Sequence, residues 1–477
     1  ILINGSSMPV FIDGKSPFVI IDRNIFSNFY FEAPNTIPRI AFASLQGTDV
    51  DFFYRNLTLE EQAYGNATNV RQIMNSINDN AEPPMYFNYV ANNIIHNFTQ
   101  AIDLIETDPD AKSLNLMAFE NNIIINFNGI SGTDGLIVLG SIGYLTVRNN
   151  LFENVDVFRE SILRFQNEPI INSVSVQNNV FYSMFAGRVL DLDISIGSPG
   201  SFEVEGNTVV LSKTTNKIFD IDLFTTVPVS ISYNTFSTSF MNIEDSMSLT
   251  NAMSIRTVFG IPQDLAIFHD IFTSLIMHNS VPAEGFYRTN INSFLFVESL
   301  RVSNVTIQNL IMTKLVSRAT YGAALSAFAS DLTLNQLMYD KSAFLVPASY
   351  QIYLSTNNLN MNQIYIDQLM SDSSLELGII QYQYIQRNYE VTNNISISGL
   401  TLFADYVGSY LRQQAAVINI LAQGLKLTID NALVNTPKMD SFQITLSSSC
   451  DLLFSNIVYS YSEGKFAQVN QPSNSNC

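Results

Sequence analysis

The segment VANNIIHNF, beginning at Val90, returns as FENNIIINF at Phe119, VRNNLFENV at Val147, VQNNVFYSM at Val176 and VEGNTVVLS at Val204. Aligned on the shared Asn, the register falls at Asn93, Asn122, Asn150, Asn179, Asn207 and Asn234, in steps of 29, 28, 29, 28 and 27 residues. It reaches back to Asn24 in VIIDRNIF and forward, more loosely, through Asp270, Asn309, Asn335, Asn362, Gly399, Asn431 and Asn456. A fixed period of this size means one small unit stacked on its own copies, because a single unit cannot bury its apolar face alone.

The internal pattern selects the kind of stack. Leu145 and Val147 alternate with polar neighbours, which is a strand period, and Val, Ile, Phe and Tyr dominate the runs. Leucine-rich units need Leu at several fixed positions and helical units need apolar faces at 3.6-residue spacing; neither pattern is present. Two or three short strands per turn, stacked about 4.8 Å apart, make an all-β parallel β-helix of roughly 13–14 coils. The recurrent Asn is expected to take the left-handed conformation at the bend between two strands, with Gly399 replacing it once. Its side chain can bond along the axis as amide ladders do. The residues three before and two after it are expected in the core.

This coil pattern resembles the pectin-lyase-like parallel β-helix superfamily across about residues 85–470, most strongly between Val90 and Phe240. The resemblance implies right-handed coils with an Asn ladder at one turn. It implies no particular activity, since that superfamily holds lyases, hydrolases, phage tailspikes and adhesins.

Breaks in the period divide the chain. Residues 1–84 read as an N-terminal coil or coils with a helical and loop cap, 85–240 as regular coils, 241–300 as coils with irregular insertions, 301–470 as C-terminal coils and 471–477 as a polar linker. Thr58 with Glu61 forms a capping box, and Val70, Ile73, Met74 and Ile77 have helical spacing, so one or two short helices are expected there. Loop-like insertions follow at GIPQDL, NSVPAEGFYRTN and QYQYIQRNYE.

The net charge of −19 and the scarcity of Lys and Arg exclude a nucleic-acid surface and disfavour an anionic membrane. No apolar run reaches the length of a membrane span, so no direct membrane insertion is expected. Six sequons, at Asn4, Asn56, Asn66, Asn97, Asn304 and Asn394, permit a secreted setting.

The sharpest chemical candidate is the pair RVLDLDIS and KIFDIDLF, 29 residues apart. One coil should place Asp191 beside Asp220 and Asp193 beside Asp222, all four outward, with Arg164 one rung away as counter-charge. Three readings fit: a solvated acidic face partly neutralised by Arg164, a Ca²⁺ site, or an acid–base pair acting on a glycosidic bond. Pectin hydrolases and lyases of the resembling superfamily place Asp clusters on one outward sheet, but their Gly-His-Gly and Arg-Ile-Lys companions are missing. His96, His269 and His278 lack metal-ligand spacing, and GISGTDG reads as an inter-strand loop, so no cofactor is expected. Cys450 and Cys477 are 27 residues apart; either they bridge stacked positions, or Cys477 opens a Cys-rich segment with its partner downstream.

These features favour a non-enzymatic extracellular or cell-surface glycoprotein for recognition, adhesion or assembly, bound to other extracellular or membrane proteins and to glycans. Its arrangement resembles protist surface proteins in which a β-helix precedes Cys-rich repeats. A polysaccharide lyase or glycoside hydrolase using the Asp patch is the alternative, and a filament or coat subunit stacking through uncapped coils is a third.

Overall fold

A computed structural model describes residues 2–4, 12–15, 18–30, 41–46, 86–101, 103–107, 115–129, 135–139, 142–157, 160–166, 171–243, 250–259, 264–279, 292–300, 304–319, 322–344, 352–368, 380–382, 392–404, 416–422, 424–435, 440–446, 450–460 and 466–470. The segment expected to hold helices, including Thr58, Glu61 and Val70–Ile77, lies outside them, as do Asn56, Asn66 and Cys477. Among the described residues there is no helix; 43 strands form one continuous sheet, and every pairing is parallel. Each strand pairs with its counterpart one turn away, as Leu151 does with Val180 and Val180 with Thr208. The chain is a parallel β-helix.

VRNNLFENV shows how one coil is cut. Leu145, Val147, Phe152, Val155 and Val157 are buried, as is Asn150, while the other residues between them are half-buried or exposed. The inward residue two after the ladder Asn is often aromatic and stacks on its neighbour: Phe152 lies 5.0 Å from Phe181, and Phe236 lies 4.9 Å from Phe272. These positions belong to one core that, among the described residues, runs from Ile21 to Ile444.

The two Asn of the NN pair divide the work at the bend, which corrects the expectation that the ladder Asn itself is left-handed. The left-handed residue is the one before it: Asn92, Asn121, Asn149 and Asn178 have φ of 54–56°, and Gly206 has 66°. A Cβ at Gly206 would press on the Asn178 carboxamide and turn it aside, and the left-handed backbone there favours Gly or Asn. The second Asn is fully buried and carries the ladder. Asn150 donates its backbone N–H and its Nδ2 to Asn179 Oδ1, at 3.1 and 2.9 Å, and its Nδ2 also donates to Phe119 O at 2.9 Å. The same set recurs from Asn93 through Asn122, Asn179, Asn207 and Asn234, and Asn24 joins it by donating to Asn93.

The column ends at Asp270, the acceptor for Asn234. Beyond it the expected register is corrected. Asn309, Gly399, Asn431 and Asn456 occupy the left-handed position, and the ladder position passes to Leu310, Leu337, Ile364, Leu400, Ala432 and Ile457. Asn335 and Asn362 lie one residue earlier still, opposite Gln308 and Ser398.

Many coils bend a second time five residues after the first left-handed residue, at Asn28, Asn97, Asn126, Asn154, Ser183, Leu211, Thr238, Ser274, Lys314 and Lys341. The Asn among them form an exposed outer stack, each Nδ2 donating to the Asn of the preceding coil. Leu211 is half exposed at φ 53°, where a branched hydrocarbon side chain has no local hydrogen bond to offset the steric cost. Leu211→Asn is expected to stabilise the chain by about 1 kcal/mol in chemical denaturation.

Candidate functional site

The strand Arg188–Glu205 lies beside Lys217–Thr225, flanked by Ser161–Gln166 and Asn251–Phe259. Leu190, Leu192 and Ile194 of one strand, and Phe219, Ile221 and Leu223 of the next, are buried in the core. Strand alternation therefore turns the intervening carboxylates outward. Asp191 is the register partner of Asp220, and Asp193 of Asp222; Arg164 sits opposite Asp191.

The square is not four free carboxylates. Asp191 and Asp220 are only 9% and 7% exposed. Arg188 bridges them, with Nη1 2.8 Å from Asp191 Oδ2 and Nε 3.2 Å from Asp220 Oδ2. Lys217 Nζ donates to Asp220 Oδ1 at 2.7 Å and to Ser254 Oγ at 3.3 Å. Ser161 Oγ donates to Asp191 Oδ2 at 3.2 Å, and Arg164 stands further off, its Nε 3.7 Å from the same oxygen. Burial lowers the Lys217 ammonium below the ordinary lysine range, against the pull of Asp220.

Arg188 and Lys217 are the residues that sequence reasoning missed. Each lies three positions before its Asp, a spacing that puts two side chains on opposite faces of a regular strand. Here Val189 and Leu190, and likewise Ile218 and Phe219, are consecutive and both buried, so the alternation slips by one residue at each strand start. That slip returns Arg188 and Lys217 to the outward side. The signal was the shared form basic–apolar–apolar–Asp–apolar–Asp.

The outer pair differs. Asp193 is exposed, and Asp222 is partly so, 3.8 Å from Arg256 Nη1. Burial, and then the neighbouring Asp220, push the Asp222 carboxyl above its usual range. Arg256 also approaches Glu298 at 3.6 Å and lies 5.6 Å over the Phe296 ring. Past it, on the same outward face, Phe296, Phe328 and Tyr353 pack into a buried apolar cluster separate from the main core.

Chemically, both oxygens of Asp220 lie against cations, and Asp191 meets two guanidinium groups and a hydroxyl through its Oδ2. Among the described residues no group of three or more His, Cys, Asp or Glu is placed to hold a metal ion, so the Ca²⁺ reading of Asp191, Asp193, Asp220 and Asp222 finds no matching cluster. The histidines are scattered: His269 stacks on Tyr233 at 4.6 Å, His278 Nδ1 lies 3.2 Å from Asn242 Oδ1, and His96 is half-buried on another strand.

Three sequons have described side chains. Asn97 belongs to the outer stack, Asn304 Nδ2 donates to Asp264 Oδ1 at 3.0 Å, and Asn394 Nδ2 donates to Asn358 Oδ1 at 2.9 Å; all three are exposed. Asn4 ends the strand Leu2–Asn4. Cys450 is disulfide-bonded, and Cys477, the only other cysteine in the sequence, lies outside the described residues. No protein-family model, no curated protein and no solved structure matches this chain.

Proposed function

We propose that this chain is a non-enzymatic recognition or assembly module of an extracellular or cell-surface glycoprotein, and a right-handed member of the pectin-lyase-like β-helix class. The observation that carries the reading is the clamping of Asp191 and Asp220 by Arg188 and Lys217. A glycosidase pair must present both carboxyls to the sugar, and these two are buried in ion pairs. A disulfide at Cys450 supports an oxidising compartment. Val180, Tyr182, Leu211 and Tyr233, 39–54% exposed, stand on three successive coils, an aromatic and aliphatic composition that suits a protein partner.

Incubating the purified chain with acidic and neutral polysaccharides is expected to release no shortened or unsaturated product. One observation favours a second reading, an acid–base enzyme: the raised carboxyl of Asp222 beside the exposed Asp193. Turnover that disappears in Asp222→Asn would establish that reading and overturn the first. For the compartment, peptide mapping of natively produced protein is expected to find glycan on Asn97 or Asn304. Six bare sequons would count against secretion.

A further inference from the structure

The strands Gly322–Asn335, Ile352–Gln368, Thr392–Ala404 and Gly424–Asn435 lie side by side, and their outward face holds a groove of about 340 Å³. Two columns of polar side chains line it, with Leu332, Leu359 and Ile395 between them. One runs Asp331, Asn358, Asn394, Lys426, and the other Thr333, Asn360, Ser396, Thr428, each residue in register with the next. In sequence this is one motif repeated in four coils, polar–aliphatic–polar: DLT, NLN, NIS and KLT. The aliphatic residue between the two is buried every time.

The chemistry of these columns narrows the ligand. Between Asp331 at one end and Lys426 at the other, every polar side chain is neutral. Asn358 Nδ2 donates to Asp331 Oδ1 at 2.6 Å and Asn394 Nδ2 to Asn358 Oδ1 at 2.9 Å, which fixes the carboxamides along the axis and leaves each a further N–H and lone pair facing out. Among the described residues, Thr333, Asn360, Ser396 and Thr428 have no side-chain hydrogen bond. A polyanion needs several cations, and this groove has one, on a chain of net charge −19. An extended peptide needs a free sheet edge or apolar side-chain pockets, and these are the middles of paired strands whose aliphatic side chains are buried in the core. A neutral polyhydroxylated chain matches: it offers paired donors and acceptors, and it meets a fresh polar pair with each coil step of about 4.8 Å. The fixed carboxamides lower the ordering cost of binding.

We propose that this groove binds an extended neutral oligosaccharide lying along the solenoid axis. The inference deepens the recognition reading and rests on it for the ligand being held without being cleaved. The sequon at Asn394 follows from the same outward polar–aliphatic–hydroxyl pattern, so a recognition column reads as a glycosylation motif by coincidence of spacing.

Affinity electrophoresis of the whole chain in gels containing mannan, xyloglucan, mixed-linkage β-glucan or polygalacturonate tests it. Retardation by at least one neutral polysaccharide is expected, and none by polygalacturonate. The double substitution Asn360→Ala with Ser396→Ala removes two exposed groups that bond no protein atom; it should leave the melting curve in place and weaken retention about tenfold. No retardation by any neutral polymer, equal retention of the variant, or stronger retention by polygalacturonate each overturns the proposal. So does a glycan found on Asn394 of the native protein, because it would fill the groove. If the retained polymer is shortened, the groove stands and the non-enzymatic reading falls.

Discussion

Replacing Asn179 by alanine is expected to cost at least about 4 kcal/mol, more than any outward substitution in the same coil. The Asn179 Oδ1 accepts the Asn150 backbone N–H and Nδ2 at 3.1 and 2.9 Å, and its Nδ2 donates to Val147 O at 2.9 Å. Alanine removes these three and the Nδ2 bond to Asn207 Oδ1 at 3.0 Å, and it leaves two donors and one carbonyl without partners in a fully buried site. Each orphan costs about 1–3 kcal/mol. For a chain of this length unfolding as one unit, about 1 kcal/mol corresponds to about 1 °C, so the melting temperature should drop by about 4 °C or more. Thr146→Ala, on the outward side of the neighbouring coil, serves as control and should move stability by no more than about 0.5 kcal/mol. A loss at Asn179 as small as that of the control would show that the amide column adds nothing beyond its neighbours' backbone pairing.

The second large effect is a pH dependence located at one carboxyl. Asp270 is fully buried at the end of the ladder, and burial pushes its carboxyl up to about 7, against the opposing pull of two hydrogen bonds from Asn234. Its Oδ2 has no hydrogen-bond partner and stands where every earlier Asn has its Nδ2, which donates to a carbonyl of the preceding coil. A protonated Asp270 can supply that donor; an ionised one turns a charge toward a carbonyl. The folded state therefore prefers the proton. Because the folded value lies above the unfolded one, this stability is complete below about pH 4 and is lost as pH rises to about 7. The loss amounts to about 4 kcal/mol. Asp270→Asn keeps the donor at every pH. The stability of the variant minus that of the parent should be small at pH 4 and grow by about 4 kcal/mol by pH 8, measured by denaturant titration at each pH. Other titrating groups cancel in that difference. A flat difference across the range would mean that Asp270 is as comfortable charged as neutral.

The regular half of the fold was legible because its signal is redundant. NN at Asn92–Asn93, Asn121–Asn122, Asn149–Asn150 and Asn178–Asn179 carries both a bending and a bonding residue, so either Asn gives the right period. After Asp270 the bonding Asn is gone: the bending residue is Asn309, Gly399, Asn431 or Asn456 in four coils, and Gln336 or Gln363 in the two whose Asn lies one residue earlier. Asn309 precedes Leu310 just as Asn456 precedes Ile457, and taking it as the bonding residue shifts the register by one. The core alternation contains the correction: with Asn309 in the ladder, Thr306 would point inward, whereas Val305, Ile307 and Met312 are the buried residues. The acidic patch was placed correctly from period alone, since Asp191 and Asp193 meet Asp220 and Asp222 in register. Its neutralisation was not, because the phase slip that brings Arg188 and Lys217 round depends on two adjacent inward residues, which strict alternation does not anticipate.

The amide column also has a direction. From Asn24 to Asn234 each link donates its backbone N–H and one Nδ2 hydrogen to the Oδ1 of the next coil toward the C-terminus, so from Asn93 onward each Oδ1 receives from the N-terminal side, and Asp270, which accepts from Asn234, closes the series. Links inside such a series are interchangeable: excising residues 150–178 would set Asn122 directly under Asn179, like joined to like. The closing link is not. The length of this solenoid can thus be edited by whole turns on the N-terminal side of Asp270, while the coil that bears it is followed by Leu310, which offers no side-chain oxygen to carry the series further.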